Sequence, residues 1–191
     1  MLARWWFWAL LIGVAFSIPL IKALTSKLPP KLPGLERAPT DAELPDESGA
    51  PVTLASLRGR LVVLMPLSLA NETEREVAMR DILGLRKRLR GLDQALYVLV
   101  LCRGGDAADL SPLLDLHKAR KPSNLFVIDE DGAVFDRLCK EAGAPSAAAL
   151  LLDRHGRVRG AYGETEAERA RLIAETGQIA NWVGEDPDPT R

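Results

Sequence analysis

Leu61-Val62-Val63-Leu64-Met65-Pro66, running on through Ser68-Leu69-Ala70 into the charged stretch Asn71 to Arg90, decides how the fold is read. Five apolar residues between Gly59 and Pro66 fit a central strand buried on both faces of a mostly parallel sheet, closed by the proline. An amphipathic helix follows directly. Asn71 can cap its first turn and Glu74 stands three residues later, a capping box with Asn in place of Ser or Thr. Val77, Ile82, Leu85, Leu89 and Leu92 recur at helical spacing, while Glu72, Glu76, Arg80, Arg86, Lys87 and Arg90 fill the other face. In an open α/β sheet the turn from a strand's carboxyl end into a helix N-terminus is the usual place for chemistry. Here that turn holds no cysteine, no histidine and no glycine cradle.

Beyond this stretch the chain alternates strands and helices. Upstream, Asp46-Glu47-Ser48-Gly49 reads as a turn and Val52-Thr53-Leu54 as a short strand. Downstream come a strand at Ala95–Leu101, a helix from Ala107 to Ala119 carrying Leu110, Leu113, Leu114 and Leu116, and a strand at Asn124–Ile128. A short helix from Val134 to Ala142 stops at Gly143. A hairpin then joins Ala148–Leu152 to Arg157–Tyr162 through Asp153-Arg154-His155-Gly156. The closing helix runs from Glu166 to about Trp182, with Leu172, Ile173, Ile179 and Trp182 facing inward. Helices between apolar strands imply parallel neighbours and the late hairpin an antiparallel edge: a mixed sheet flanked by helices on both faces.

The termini have a different character. Trp5 to Ile21 is an uninterrupted apolar run behind Arg4, and extended to Leu24 it reaches about the 20 residues needed to cross a bilayer core. Its tryptophans suit a membrane interface, and no small-residue cleavage site follows, so for residues 1–24 a retained transmembrane anchor is favoured over the alternative of a cleaved signal peptide. Residues 25–43 are rich in proline and form a tether, 44–183 the globular domain, and 184–191 an acidic, disordered tail.

Composition narrows the function. Of 191 residues, 47% are hydrophobic and 27% charged, enough for a packed core, and the net charge of −1 excludes a strong field for nucleic acid. Two cysteines and two histidines are too few and too scattered for a structural zinc site, so no metal or other cofactor is expected.

The order of these motifs resembles the thioredoxin-like superfamily, specifically the redoxin branch that includes peroxiredoxins, membrane-tethered thiol reductases and Sco-type copper chaperones. The opening segment Leu44-Pro45-Asp46-Glu47-Ser48-Gly49-Ala50-Pro51-Val52-Thr53-Leu54 and its continuation to Gly59-Arg60 is similar to that branch's entry, and Leu61 to Met65 with its helix is similar to the pair that carries the active site. Leu150-Leu151-Leu152-Asp153-Arg154-His155-Gly156-Arg157-Val158 resembles the family's late hairpin, and an anchor with a proline-rich tether suits its Sco-like and thiol-reductase members.

The resemblance also implies cysteines that this chain lacks. The family places Cys-x-x-Cys, Cys-x-x-x-Cys or a single Cys in the turn after the first central strand, where a helix N-terminus lowers the thiol pKa. An ungapped reading puts Asn71 and Arg75 near the positions of a Cys-x-x-x-Cys pair, and neither can exchange disulfides or hold Cu(I). Where Sco-like proteins place a copper-binding His, Pro145-Ser146-Ala147 stands here, and Pro145 lies about two residues before the place of the thiol reductases' proline.

The remaining candidates read as follows. Cys102 ends a strand at the active edge and is either a reactive thiol or a small core residue, the core reading being favoured. Cys139, in the short helix, reads as buried and structural, and a disulfide between the two is open. His155 reads as a solvated turn residue, His117 as a helix C-terminal charge partner, and the Arg86-Lys87-Arg88-Arg90 cluster as a solvated helix end.

The expectation is a membrane-anchored thioredoxin-like protein without the usual thiol or copper site, acting by binding, as an assembly factor of a respiratory or envelope complex. Two alternatives stand beside it: a divergent thiol oxidoreductase or peroxidase using Cys102 and Cys139, and an accessory structural subunit of a membrane complex. Lys22, Lys27 and Lys31 taken alone favour a cytoplasmic domain, whereas the resemblance implies the oxidising side. The placement adopted is the bacterial inner membrane with the domain in the periplasm.

Overall fold

A computed structural model describes residues 43–92, 94–120 and 122–181, together with residues 8, 12–15 and 17. Most of the anchor run, the tether up to residue 42, Trp182 and the tail lie outside the described residues. Among the described residues no helix is long and apolar enough to cross a membrane.

From residue 43 on, the described residues form seven strands and four α-helices in chain order: β1 (Glu43–Pro45), β2 (Pro51–Thr53), β3 (Leu61–Ser68), α1 (Glu72–Arg88), β4 (Leu96–Arg103), α2 (Ala107–Leu116), β5 (Asn124–Ile128), α3 (Ala133–Glu141), β6 (Ala149–Leu152), β7 (Val158–Tyr162) and α4 (Glu166–Ala180). The main sheet has the order β5-β4-β3-β6-β7. β3, β4 and β5 are parallel, and β6 and β7 add antiparallel neighbours on the other side. The mixed sheet with a terminal hairpin is thus as expected. The apolar stretch opening at Leu61 is its central strand, with Leu61, Val63 and Leu64 fully buried.

The sheet separates two layers. Val62 and Leu64 of β3 and Leu99 and Leu101 of β4 pack with Phe135, Leu138 and Cys139 of α3 and with Leu54 and Leu57. On the opposite face α1 lies centrally. Its Met79 and Ile82 meet Leu110 and Leu114 of α2, and its Leu85 packs with Leu172 and Ile179 of α4. Period-two alternation along each strand assigns each side chain to one layer.

Several expectations need correction. β1 starts at Glu43, so the tether's last residue already belongs to a hairpin in which Leu44 pairs with Val52. A bridge from Asp46 to Val127 lays that hairpin along the outer edge of β5, covering an edge that would otherwise be open. β2 closes at Thr53, and Leu54–Leu57 forms a 3-10 turn capped by Thr53. β3 does not stop at Pro66 but continues to Ser68.

On α1 the expected apolar Val77 is 50% exposed, and the expected solvated Arg86 is buried at 6%. Arg86 Nε donates to Asn124 Oδ1 at 2.9 Å and its Nη2 to Ser123 Oγ, while Asn124 Nδ2 donates to Ala119 O. A long aliphatic stem lets a guanidinium on an outward position reach polar groups at the start of β5. α2 ends at Leu116, which is 73% exposed, because Lys118 takes a left-handed backbone at φ 50°. Burial of Leu172 and Ile179 fits the reading of the last helix, but that helix ends at Ala180 and the expected inward Trp182 falls outside the described residues.

Candidate functional site

The turn where chemistry was expected is built by α1's cap. Asn71 Oδ1 accepts from the main-chain N–H of Thr73 at 3.0 Å and of Glu74 at 3.3 Å, and its Nδ2 donates to Glu74 Oε1 at 3.1 Å. The Asn-for-Ser capping arrangement is therefore present, with the reciprocal bond made to the amide side chain. Arg75, one turn on, folds back so that Nη1 donates to Leu69 O at 3.2 Å. Asn71 and Arg75, the two residues expected near the cysteine positions, are thus engaged in holding the bend.

The thiols lie elsewhere. Cys102 sits opposite Leu67 in the β3–β4 register, fully buried in the α1/α2 layer. Burial pushes its pKa up to about 12. Cys139 is buried at 1% in the α3 layer, and burial, with the Asp136 carboxylate adding repulsion, raises it to about 11. Both are free, and the sheet stands between them, which closes the question of a disulfide in this fold.

The histidines sit where the sequence placed them. His117 caps α2 with Nε2 3.2 Å from Glu76 Oε1. His155 is exposed in the hairpin turn, its N–H donating to Asp153 Oδ1. Among the described residues no three His, Cys, Asp or Glu side chains form a group able to hold a metal ion.

A groove of about 660 Å³ opens at the carboxyl end of β3. One wall is α1, from Thr73 and Glu74 to Arg88. Another is the segment Pro145–Ala149 entering β6, and the ends are formed by Arg103 with Phe135 and by the start of α4. Met65, Pro66 and Ser68 of β3 form the floor. None of the lining residues is a cysteine or histidine. Ion pairs hold the walls: Arg169 grips Asp81 at 2.8 and 2.6 Å, and Arg88 meets Glu166 at 3.1 Å.

Sequence reasoning found β3, the Asn71 cap and the Pro145 segment, but missed Arg103, Tyr162 and the α4 start as parts of one site. Thr165 with Glu168, a Ser/Thr-x-x-Glu start signal, could have placed the α4 end. The Arg169–Asp81 pair, 88 residues apart, left no local trace.

No protein-family model matches the chain, and no curated protein matches it in sequence. Solved structures do match in shape. A SCO1/SenC family lipoprotein from Bacillus anthracis aligns with TM-score 0.61 at 11% identity, over 78% of this chain and 99% of that one. ScoI of Bradyrhizobium japonicum with copper bound aligns at 0.53 and 14%, over 72% and 96%. The thioredoxin domain of a thiol-disulfide oxidoreductase from Bacteroides vulgatus aligns at 0.54 and 12%, over 73% and 94%. At these identities the likeness is one of fold, and the fold is thioredoxin-like.

Proposed function

We propose that this chain is a membrane-anchored thioredoxin-like binding protein, an assembly factor for a respiratory or envelope complex, held at the bacterial inner membrane by residues 1–24 with its domain in the periplasm. One observation carries the reading. The groove at the end of β3 is open and lined without a cysteine or histidine, while both thiols are buried in separate layers away from it. A partner can enter the groove, but no thiolate or imidazole is presented there. The apolar run Trp5 to Ile21 and the proline-rich tether supply the anchor and the reach.

The test is photocrosslinking in native membranes from a photoreactive residue at Ala147, on the groove wall, compared with one at the exposed Glu141. A stoichiometric protein captured from Ala147 and not from Glu141 supports the reading. Capture from neither position overturns it. A low-pKa, peroxide-sensitive Cys102 would install the oxidoreductase alternative instead, and about one copper per purified full-length chain a metal-handling one. A reporter fused to the C-terminus and active only outside the cytoplasm supports the placement. Activity only inside overturns it.

A further inference from the structure

The amino end of β3, opposite the groove, gathers arginines around the last turn of α4. Arg154, in the turn between β6 and β7, donates from Nη2 to the main-chain oxygen of Ala180, the final residue of that helix, at 3.1 Å. The same turn is tied to the lead into β3. Gly59 N–H donates to Arg154 O at 2.8 Å, which brings Arg58 and Arg60, on either side of Gly59, to this end. On its other flank Ala180 shares a cluster with Leu89 and Leu92, the residues that bracket Arg90. Arg58 and Arg90 are exposed, and the Arg60 guanidinium lies over the Tyr97 ring, 4.5 Å from its centroid. Among the described residues none of these four arginines is ion-paired, and the carboxylate of the turn itself, Asp153, is buried and held by Arg157 and Arg159. Asp93, three residues after Arg90 and outside the described residues, offsets one charge and leaves the end positive.

We infer that the occupant of this basic end is the chain's own C-terminal segment, residues 184–191, seated on Arg58, Arg60, Arg90 and Arg154. Its sequence, Gly184-Glu185-Asp186-Pro187-Asp188-Pro189-Thr190-Arg191, sets three carboxylates against one cation. The place where α4 releases the chain favours this occupant over any other. Asn181 N–H and Nδ2 both donate to Gly177 O, at 3.2 and 2.8 Å, so the chain leaves the helix beside the carbonyl that Arg154 holds. From there Glu185 is four residues away, a reach of about 13 Å at full extension, enough to span the neighbouring guanidinium groups. Exposed ion pairs are individually weak and screened by salt. Covalent attachment compensates, because it gives the tail an effective concentration on the order of millimolar that a free anion has to match. Pro187 and Pro189 restrict the aspartates before them to extended backbone, so less freedom is lost on seating. The tail is thereby a built-in cover that closes the basic end to anionic lipid and to acidic proteins. The groove lies at the other end of β3, and this inference stands without it.

The test uses the full-length chain in phosphatidylcholine nanodiscs, with a photoreactive residue in place of Thr190 and crosslinks mapped by mass spectrometry. Expected are crosslinks concentrated on residues 58–60, 90–92 and 154–156, falling about fivefold or more between low and high salt. Neutralising the tail with Glu185→Gln, Asp186→Asn and Asp188→Asn should cause the same loss at low salt, as should Arg58→Gln with Arg90→Gln. These positions are exposed or in the tail, so the variants leave the core untouched. Crosslinks to other parts of the domain, no crosslinks within the chain, or crosslinks that ignore both salt and charge neutralisation overturn the inference. A second arm repeats the measurement in phosphatidylglycerol nanodiscs. An unchanged map supports the tail as occupant, whereas loss of the crosslinks there assigns the basic end to anionic lipid and overturns it. None of these outcomes bears on capture from Ala147, so the groove and the tail stand or fall separately.

Discussion

Arg169 of α4 holds Asp81 of α1 at two points, Nη1 to Oδ1 at 2.8 Å and Nη2 to Oδ2 at 2.6 Å, across the same wall that borders the groove. The pair is partly exposed, with side chains at 38% and 26%, so solvent screening limits its worth. A double-mutant cycle with Asp81→Ala and Arg169→Ala should give a coupling of about 1 kcal/mol, the upper end for surface pairs, because the contact is bidentate. Arg169→Lys should lose most of that coupling, since an ammonium cannot make the fork. Denaturant midpoints of the four proteins check both.

Tyr162 and Gly160 constrain each other on β7. A β-carbon at Gly160 would overlap the Tyr162 hydroxyl and lie 2.8 Å from Cε2, while the hydroxyl itself donates to Glu175. Gly160→Ala should therefore destabilise by about 1–3 kcal/mol through overpacking. Adding Tyr162→Phe should recover part of the loss and make the pair non-additive. Thermal unfolding of the single and double variants measures it.

Asp153 makes the hairpin acid-sensitive. Although burial alone would raise its pKa, hydrogen bonds from the Arg157 main chain and side chain, with the guanidinium charges of Arg157 and Arg159, hold it below its ordinary 3.8. Nε of Arg157 lies 2.8 Å and Nε of Arg159 3.0 Å from Oδ2. A carboxylate whose pKa is lower folded than unfolded adds stability that is complete above the unfolded value and drains away as pH falls through the folded one. Unfolding free energy should drop as pH falls below 3.8 in the unaltered protein. Asp153→Asn should lose about 3–5 kcal/mol at neutral pH, by breaking a buried charged network, and show a flatter acid limb.

The two thiols should be silent. With Cys102 raised to about 12 and Cys139 to about 11, neither supplies appreciable thiolate near neutral pH. A colourimetric disulfide reagent at pH 8 should label neither in the folded chain and both in denaturant. Oxidation of the folded protein should leave no bond between residues 102 and 139, because the sheet divides them. Rapid labelling of native Cys102 would contradict its burial.

What the sequence determined by itself was local. The β-branched run at Leu61, the Asn71 cap, the stop at Gly143, with φ 67°, and the turn ending at Gly156, with φ 78°, are signals a few residues long. They arise from sterics and hydrogen bonds between near neighbours, which no distant contact had to supply. The tertiary structure alone decided the rest. Pro66 reads as a strand end, yet the strand continues, because its missing N–H points to the side that β6 leaves. Arg86 reads as solvated, yet it is buried, because β5 brings Ser123 and Asn124 beneath α1. The separation of Cys102 from Cys139, and the groove made by β3, α1, α4 and the Pro145 segment, depend on strand order and layer. Those are fixed only when parts of the chain far apart in sequence are packed together.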